Sequence, residues 1–231
     1  MNLRPFLVAP VAMTVMIATA YPVLAETKTD AVETVQDATK VFQQIMANPK
    51  TRIPQSVLRD ALGIAVIPNV IQAGFIASGS RGNGILVVRK AQGSWSNPAF
   101  ISITGGSVGF QAGAKSSDIV MVFRTEKSIN KVLLEDFTLG GEVSAAAGLV
   151  GGNVVSPTER RADIYTYARS QGLFGGVALK GQKIAVARKR NAVFYNQPGI
   201  TINQIFSTNP PTPSAVTDLK QALNQAVSGQ L

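Results

Sequence analysis

Ile64-Ala-Val-Ile67, Gly74-Phe-Ile-Ala77 and Ile85-Leu-Val-Val88 are short β-branched runs broken by Gly, Asn, Ser and Pro. That alternation is the signature of strands and turns. It continues in Ala99-Phe-Ile-Ser-Ile103, Ile119-Val-Met-Val-Phe123, Ile164-Tyr-Thr-Tyr167 and Ile184-Ala-Val-Ala187. Ser80-Arg-Gly-Asn-Gly84 reads as a hairpin turn, because Gly82, Asn83 and Gly84 tolerate positive φ.

Helical periodicity flanks this β-rich stretch. Upstream, Val35, Ala38, Phe42, Ile45 and Met46 recur at spacings of three and four behind Asp30, which with Glu33 resembles a capping box. Pro54 opens a second short helix carrying Val57, Leu58, Ala61 and Leu62, with Gly63 as its stop. Ser128 to Leu134 reads as a helical interruption within the β region. Downstream, Ser207-Thr-Asn-Pro-Pro-Thr-Pro213 is a stiff linker. Behind Ser214, an amphipathic stripe of Ala215, Val216, Leu219, Ala222, Leu223, Ala226 and Val227 predicts a tail helix that docks on the core, since alone it would be marginal in water. The expected class is α+β: an antiparallel β-rich core, sandwich or barrel-like, with flanking N-terminal helices and a C-terminal tail helix.

The 231 residues include 22 Lys and Arg against 13 Asp and Glu, and neither His nor Cys. Disulfides, thiolate nucleophiles, Ser-His-Asp triads and imidazole-based metal sites are thereby excluded. Residues 1–25 have the parts of a secretory signal: Arg4, an uncharged apolar run from Phe6 to Ala20, and Val23-Leu24-Ala25 before Glu26 as a cleavage site. Export to a periplasmic or extracellular location, peripheral to a membrane, is the expectation.

Catalytic patterns fail on their chemistry. Gly105-Gly-Ser107-Val-Gly109 matches a nucleophile elbow, but no His can activate Ser107. Between Gly176 and Gly181 the glycine spacing is Walker-like, yet Gln182 stands where the Lys is required. Acidic residues are scattered too singly for a calcium or magnesium cage. Asp118, at the start of an apolar strand, reads as a turn or cap acceptor. No catalytic residue, metal or cofactor is expected.

Charge location is more informative than charge total. Between Arg160 and Arg190 lie Arg160, Arg161, Arg169, Lys180, Lys183, Arg188, Lys189 and Arg190, opposed by Asp163 alone. Such clustering is the footprint of a polyanion or an anionic membrane. Leu173 and Phe174, between Gly172 and Gly175, form either a core pair or an apolar tip beside the basic segment. Nucleic acid is not the expected polyanion, because no nucleic-acid-binding motif is present.

From Ile53 to Asn196 the chain resembles the SYLF-domain family. The matching pieces include Leu62-Gly-Ile-Ala-Val-Ile-Pro68, Ala73-Gly-Phe75, Trp95-Ser-Asn-Pro-Ala-Phe100, Gly105-Gly-Ser-Val-Gly109, Ala145-Ala-Ala-Gly148, Tyr165-Thr-Tyr-Ala-Arg-Ser-Gln-Gly-Leu-Phe-Gly-Gly176 and Asn191. The resemblance implies a non-enzymatic module that binds phosphorylated or acidic lipid headgroups. It puts Arg169 first among the contacts, and the charge clustering and the apolar pair add Arg160, Arg161, Lys180, Arg188, Lys189, Arg190, Leu173 and Phe174. The expected divisions are a signal peptide over 1–25, an N-terminal helix within 26–52, a SYLF-like domain over 53–197, and a linker with the C-terminal helix over 198–231. Anionic phospholipid is the expected partner, and a protein bound through the C-terminal helix the alternative. Actin bundling, reported for eukaryotic relatives, needs a cytosolic location that the signal segment opposes, so actin is not expected.

Overall fold

The computed structural model describes residues 26–47, 52–74, 77–108, 113–134, 136–148, 161–170, 173–176 and 179–231. Residues 1–25, where a secretory signal is expected, and Arg160 lie outside them. Nine strands form one mixed sheet: β1 (Gly63–Gly74), β2 (Ala77–Val88), β3 (Ala99–Val108), β4 (Gly113–Phe123), β5 (Asp136–Thr138), β6 (Ala145–Ala147), β7 (Ile164–Ser170), β8 (Leu173–Gly176) and β9 (Lys183–Val186). Their order is β5-β9-β3-β2-β1-β4-β7-β6, with β8 also on β7. The helices are α1 (Lys28–Met46), α2 (Gln55–Arg59), α3 (Glu126–Leu133), α4 (Arg188–Tyr195), α5 (Ile202–Ser207) and α6 (Ser214–Ser228). The fold is α+β as expected, although the short β6 runs parallel to β7 in an otherwise antiparallel sheet.

The central strand is β1. Between Val66 and Ile71 it spends one residue more than β2, and between Ile67 and Val70 one more than β4. This bulge sits at Pro68-Asn69. Proline has no N–H to give the ladder, and Asn69 takes φ 51°, a left-handed value that asparagine tolerates better than most residues. The Asn69 N–H donates to Asp118 Oδ1 at 3.0 Å. Gly82 and Gly84 are therefore not a hairpin turn. They lie within β2 opposite the bulge, where a Cβ on Gly84 would stand 2.2 Å from the Val66 carbonyl oxygen and one on Gly82 2.7 Å from Val70 Cγ2. Their value is the missing side chain and not a positive φ.

Helix α1 lies on β1 and β2 and is itself covered by α4 and α6. Ala31, Val35, Ala38, Phe42 and Ile45 are buried beneath it. Its cap stands one turn earlier than expected: Thr27 Oγ1 accepts from the Asp30 N–H at 3.2 Å, and Asp30 returns the bond to the Thr27 N–H at 3.0 Å. Helix α2 ends at Arg59 with Asp60 as its C-cap, and Gly63 opens β1. Arg89 Nε and Nη2 donate to Ala61 and Leu58 carbonyls at 2.9 Å while the guanidinium stacks on Trp95, so the Trp95 motif has a structural task. The apolar stripe of α6 is buried on α1 and α2, which removes it as a free docking face.

Asp163, just before β7, gathers the far side. It accepts from Thr125 Oγ1 at 2.8 Å, from the Ser144 N–H at 3.0 Å and hydroxyl at 2.7 Å, and from Lys127 at 3.4 Å. Burial pushes its carboxyl up, but the Ser144 and Thr125 bonds and Lys127 outweigh this and hold it below its ordinary value. A depressed carboxylate contributes stability above its unfolded pKa, and that contribution is lost as pH falls through the folded value. Urea midpoints of the wild type will therefore decline more steeply below about pH 4 than those of Asp163→Asn, and the variant will be the less stable at neutral pH. Gly84→Ala will cost about 1–3 kcal/mol by overpacking against the bulge, read as a lower urea midpoint at unchanged slope.

A candidate anion-binding cavity at the start of α4

The sheet order disperses the basic segment. Strands β7 and β9 are separated by β4, β1, β2 and β3, so residues adjacent in sequence reach opposite parts of the sheet. Arg169, on β7, donates from Nε at 3.0 Å and Nη2 at 2.6 Å to Asp118 Oδ2. That ion pair braces the carboxylate that holds the Asn69 bulge, and it occupies the guanidinium expected to contact a headgroup first. Arg161 is exposed in the turn before β7, and Lys180 is exposed in the turn before β9, against Gly140. Lys183 pairs with Asp136 of the neighbouring β5. Leu173 and Phe174 begin β8, and their side chains lie outside the described residues.

Arg188, Lys189 and Arg190 do come together, and sequence reasoning missed the helix that presents them. They are the first turn of α4, which no side chain caps and no acidic residue precedes within that turn. A cation near a helix N-terminus opposes the backbone dipole, at a cost of about 0.3–1 kcal/mol each. Three in succession are not there for the helix. Its position is fixed from below: Asn191, buried, accepts from the Phe100 N–H at 2.8 Å through Oδ1 and donates to the Phe100 carbonyl at 3.2 Å through Nδ2. Tyr195 donates its hydroxyl to the Pro98 carbonyl at 2.6 Å, and burial pushes its pKa far up.

The cavity that results holds about 470 Å³ and has the sheet for a floor. Asn83 pairs with Ser102, and Ser102 with Ala185. One step along, Arg81 faces Thr104. Arg81 adds a fourth cation, drawn from a segment 107 positions before Arg188 and concealed in the misread turn. Glu26 and Asp136 supply the opposing carboxylates. Arg190 donates from Nε to Glu26 Oε1 and from Nη1 to Thr34 Oγ1 at 3.3 Å. Hydroxyls, an amide and four cations around a concave floor can hold a phosphate-like anion. Ser107's side chain lies outside the described residues, and among those residues no cluster of His, Cys, Asp or Glu suits a metal.

The fold is thus a curled α+β sheet with a basic cavity beside the helices that cover it. The chain belongs to the Ysc84 family, the SYLF-domain family, whose model, described as "Las17-binding protein actin regulator", matches residues 104–226. It is 34% identical over 179 residues to "SH3 domain-containing YSC84-like protein 1" of Homo sapiens, covering 76% of this chain and 52% of that protein. It is also 34% identical over 176 residues to "LAS seventeen-binding protein 3" of Saccharomyces cerevisiae, covering 74% of this chain and 38% of that protein. The chain thus spans about half the length, or less, of these relatives. That family description overturns the expectation that actin is not a partner, which rested on an expected location and not on kinship.

Asn191→Ala will leave the Phe100 N–H buried without an acceptor and lower stability by about 1–3 kcal/mol, measurable as a shift in the urea midpoint.

Proposed function

We propose that this chain binds anionic phospholipid headgroups without enzymatic chemistry, with the cavity of Arg81, Arg188, Lys189 and Arg190 as the contact. The observation that carries this is the placement of three consecutive cations at the uncapped positive end of α4, beside a fourth from β2. The reading includes export through the apolar segment before Ala25, followed by peripheral attachment to a membrane. Arg161 and Lys180 are exposed on other parts of the molecule and contribute only if the membrane reaches them. A second reading is favoured by the family description: an acidic surface of an actin-associated protein would meet the same cations.

Vesicle flotation separates the readings. Binding should require anionic lipid and weaken with salt, and the double variant Arg188→Gln/Lys189→Gln should lose about 30-fold, from about 1 kcal/mol per surface cation. Equal recovery on neutral vesicles would sink the lipid reading. Cosedimentation with actin filaments, lost in the same double variant while flotation is unchanged, would establish the second.

A further inference from the structure

We infer that Glu26 is a built-in competitor for the basic cavity, and that it tunes the cavity to phosphomonoesters, which carry two negative charges, over singly charged phosphodiesters. This rests on the headgroup reading above and concerns how that site selects.

The two carboxylates of the cavity are not equivalent. Asp136 is held by Lys183, a lysine that does not line the cavity, so its charge is already answered. Glu26 instead occupies Arg190, one of the four cations. The side chains of Arg190 and Glu26 are 14% and 29% exposed, so the pair is mostly withdrawn from water. An arginine in that position requires an anion, and leaving it bare is costly. The carboxylate thus stands where a ligand oxygen would stand.

Its place in the chain makes it displaceable. Glu26 precedes the N-cap of α1, and the capping box closes between Thr27 and Asp30 without it. Glu26 can swing away while the helix keeps its cap, and Arg190 keeps Thr34. The exchange therefore costs the ion pair and little else.

Charge balance then decides which anion gains. A phosphodiester that displaces Glu26 replaces one negative charge with one, leaving the cavity no better neutralised. A phosphomonoester above its second pKa of about 6 brings two, and leaves it better neutralised by one. Without the Glu26 charge, the diester no longer has to exchange and the difference narrows.

The test uses the full chain and phosphatidylcholine vesicles containing equal fractions of either phosphatidylglycerol, a diester, or phosphatidic acid, a monoester, at pH 7.5. The wild type should favour phosphatidic acid about fivefold, the effect of one surface charge. Glu26→Gln should tighten phosphatidylglycerol binding by about the same factor and bring the two lipids near parity. Glu26→Ala should do likewise, and the melting temperature of each variant checks folding. Soluble glycerol phosphate, added as competitor, assigns the source. Release of the protein from phosphatidic acid vesicles at equal phosphate concentration points to the phosphate alone, and retention points to the bilayer. The exchange at Arg190 is the same in both, and both sustain the inference. Unchanged or weakened phosphatidylglycerol binding by both Glu26 variants overturns it. If Arg188→Gln/Lys189→Gln still weakens binding, only the competitor inference has failed; if that variant is also without effect, the headgroup reading falls with it.

Discussion

The bulge at Pro68-Asn69 is the constraint on which the other features depend. One extra residue in the central strand must be absorbed by both neighbours at once, since β2 and β4 each shift register there. On one side the adjustment takes the form of two glycines, which let the β1 backbone approach β2 closer than any side chain allows. On the other it takes the form of Asp118, which accepts the stray Asn69 N–H and is steadied by Arg169 from the next strand. A bulge raises the local twist and bends the strand that carries it. Because the bent strand is central, the bend is passed to the sheet, and α1 packs across β1 and β2 beside it.

Much of this architecture was legible. β-branched runs such as Ile64 to Ile67 and Ile119 to Phe123 can hardly serve as anything but buried strands, and the stripe on α6 has one apolar face to hide. Gly82 and Gly84 misled for a physical reason: glycine serves both where φ must be positive and where a Cβ cannot fit, and a sequence does not distinguish these uses. β6 is three alanines, too short and plain to signal a parallel pairing. Helix α4 was concealed because its start breaks the usual rule, with cations where a cap or an acid is expected.

The candidate site was legible in half. Its charges from Arg188 to Arg190 stand out in the sequence, but proximity along the chain is not proximity in space. In a sheet ordered β9-β3-β2-β1-β4-β7, the two ends of one basic segment are parted by four strands, while Arg81 arrives from far away. Arg169 shows the complementary lesson. Being a basic position in a recognisable motif did not distinguish a ligand contact from a brace for Asp118. Several motif residues, among them Trp95 and Asn191, prove to be holding backbone in place.

The packing of α6 on α1 has a consequence for the order in which the molecule can be made. The apolar face of α1, with Val35, Phe42 and Ile45, is among the first described parts of the chain to be synthesised. Strands β1 and β2, which α1 lies on, follow it closely, but its other cover, from Ala215 to Ala226, is among the last. The contact between α1 and α6 therefore closes only once nearly the whole chain has emerged. Until then the α6-facing side of α1 stays bare, and a chaperone would have something to hold.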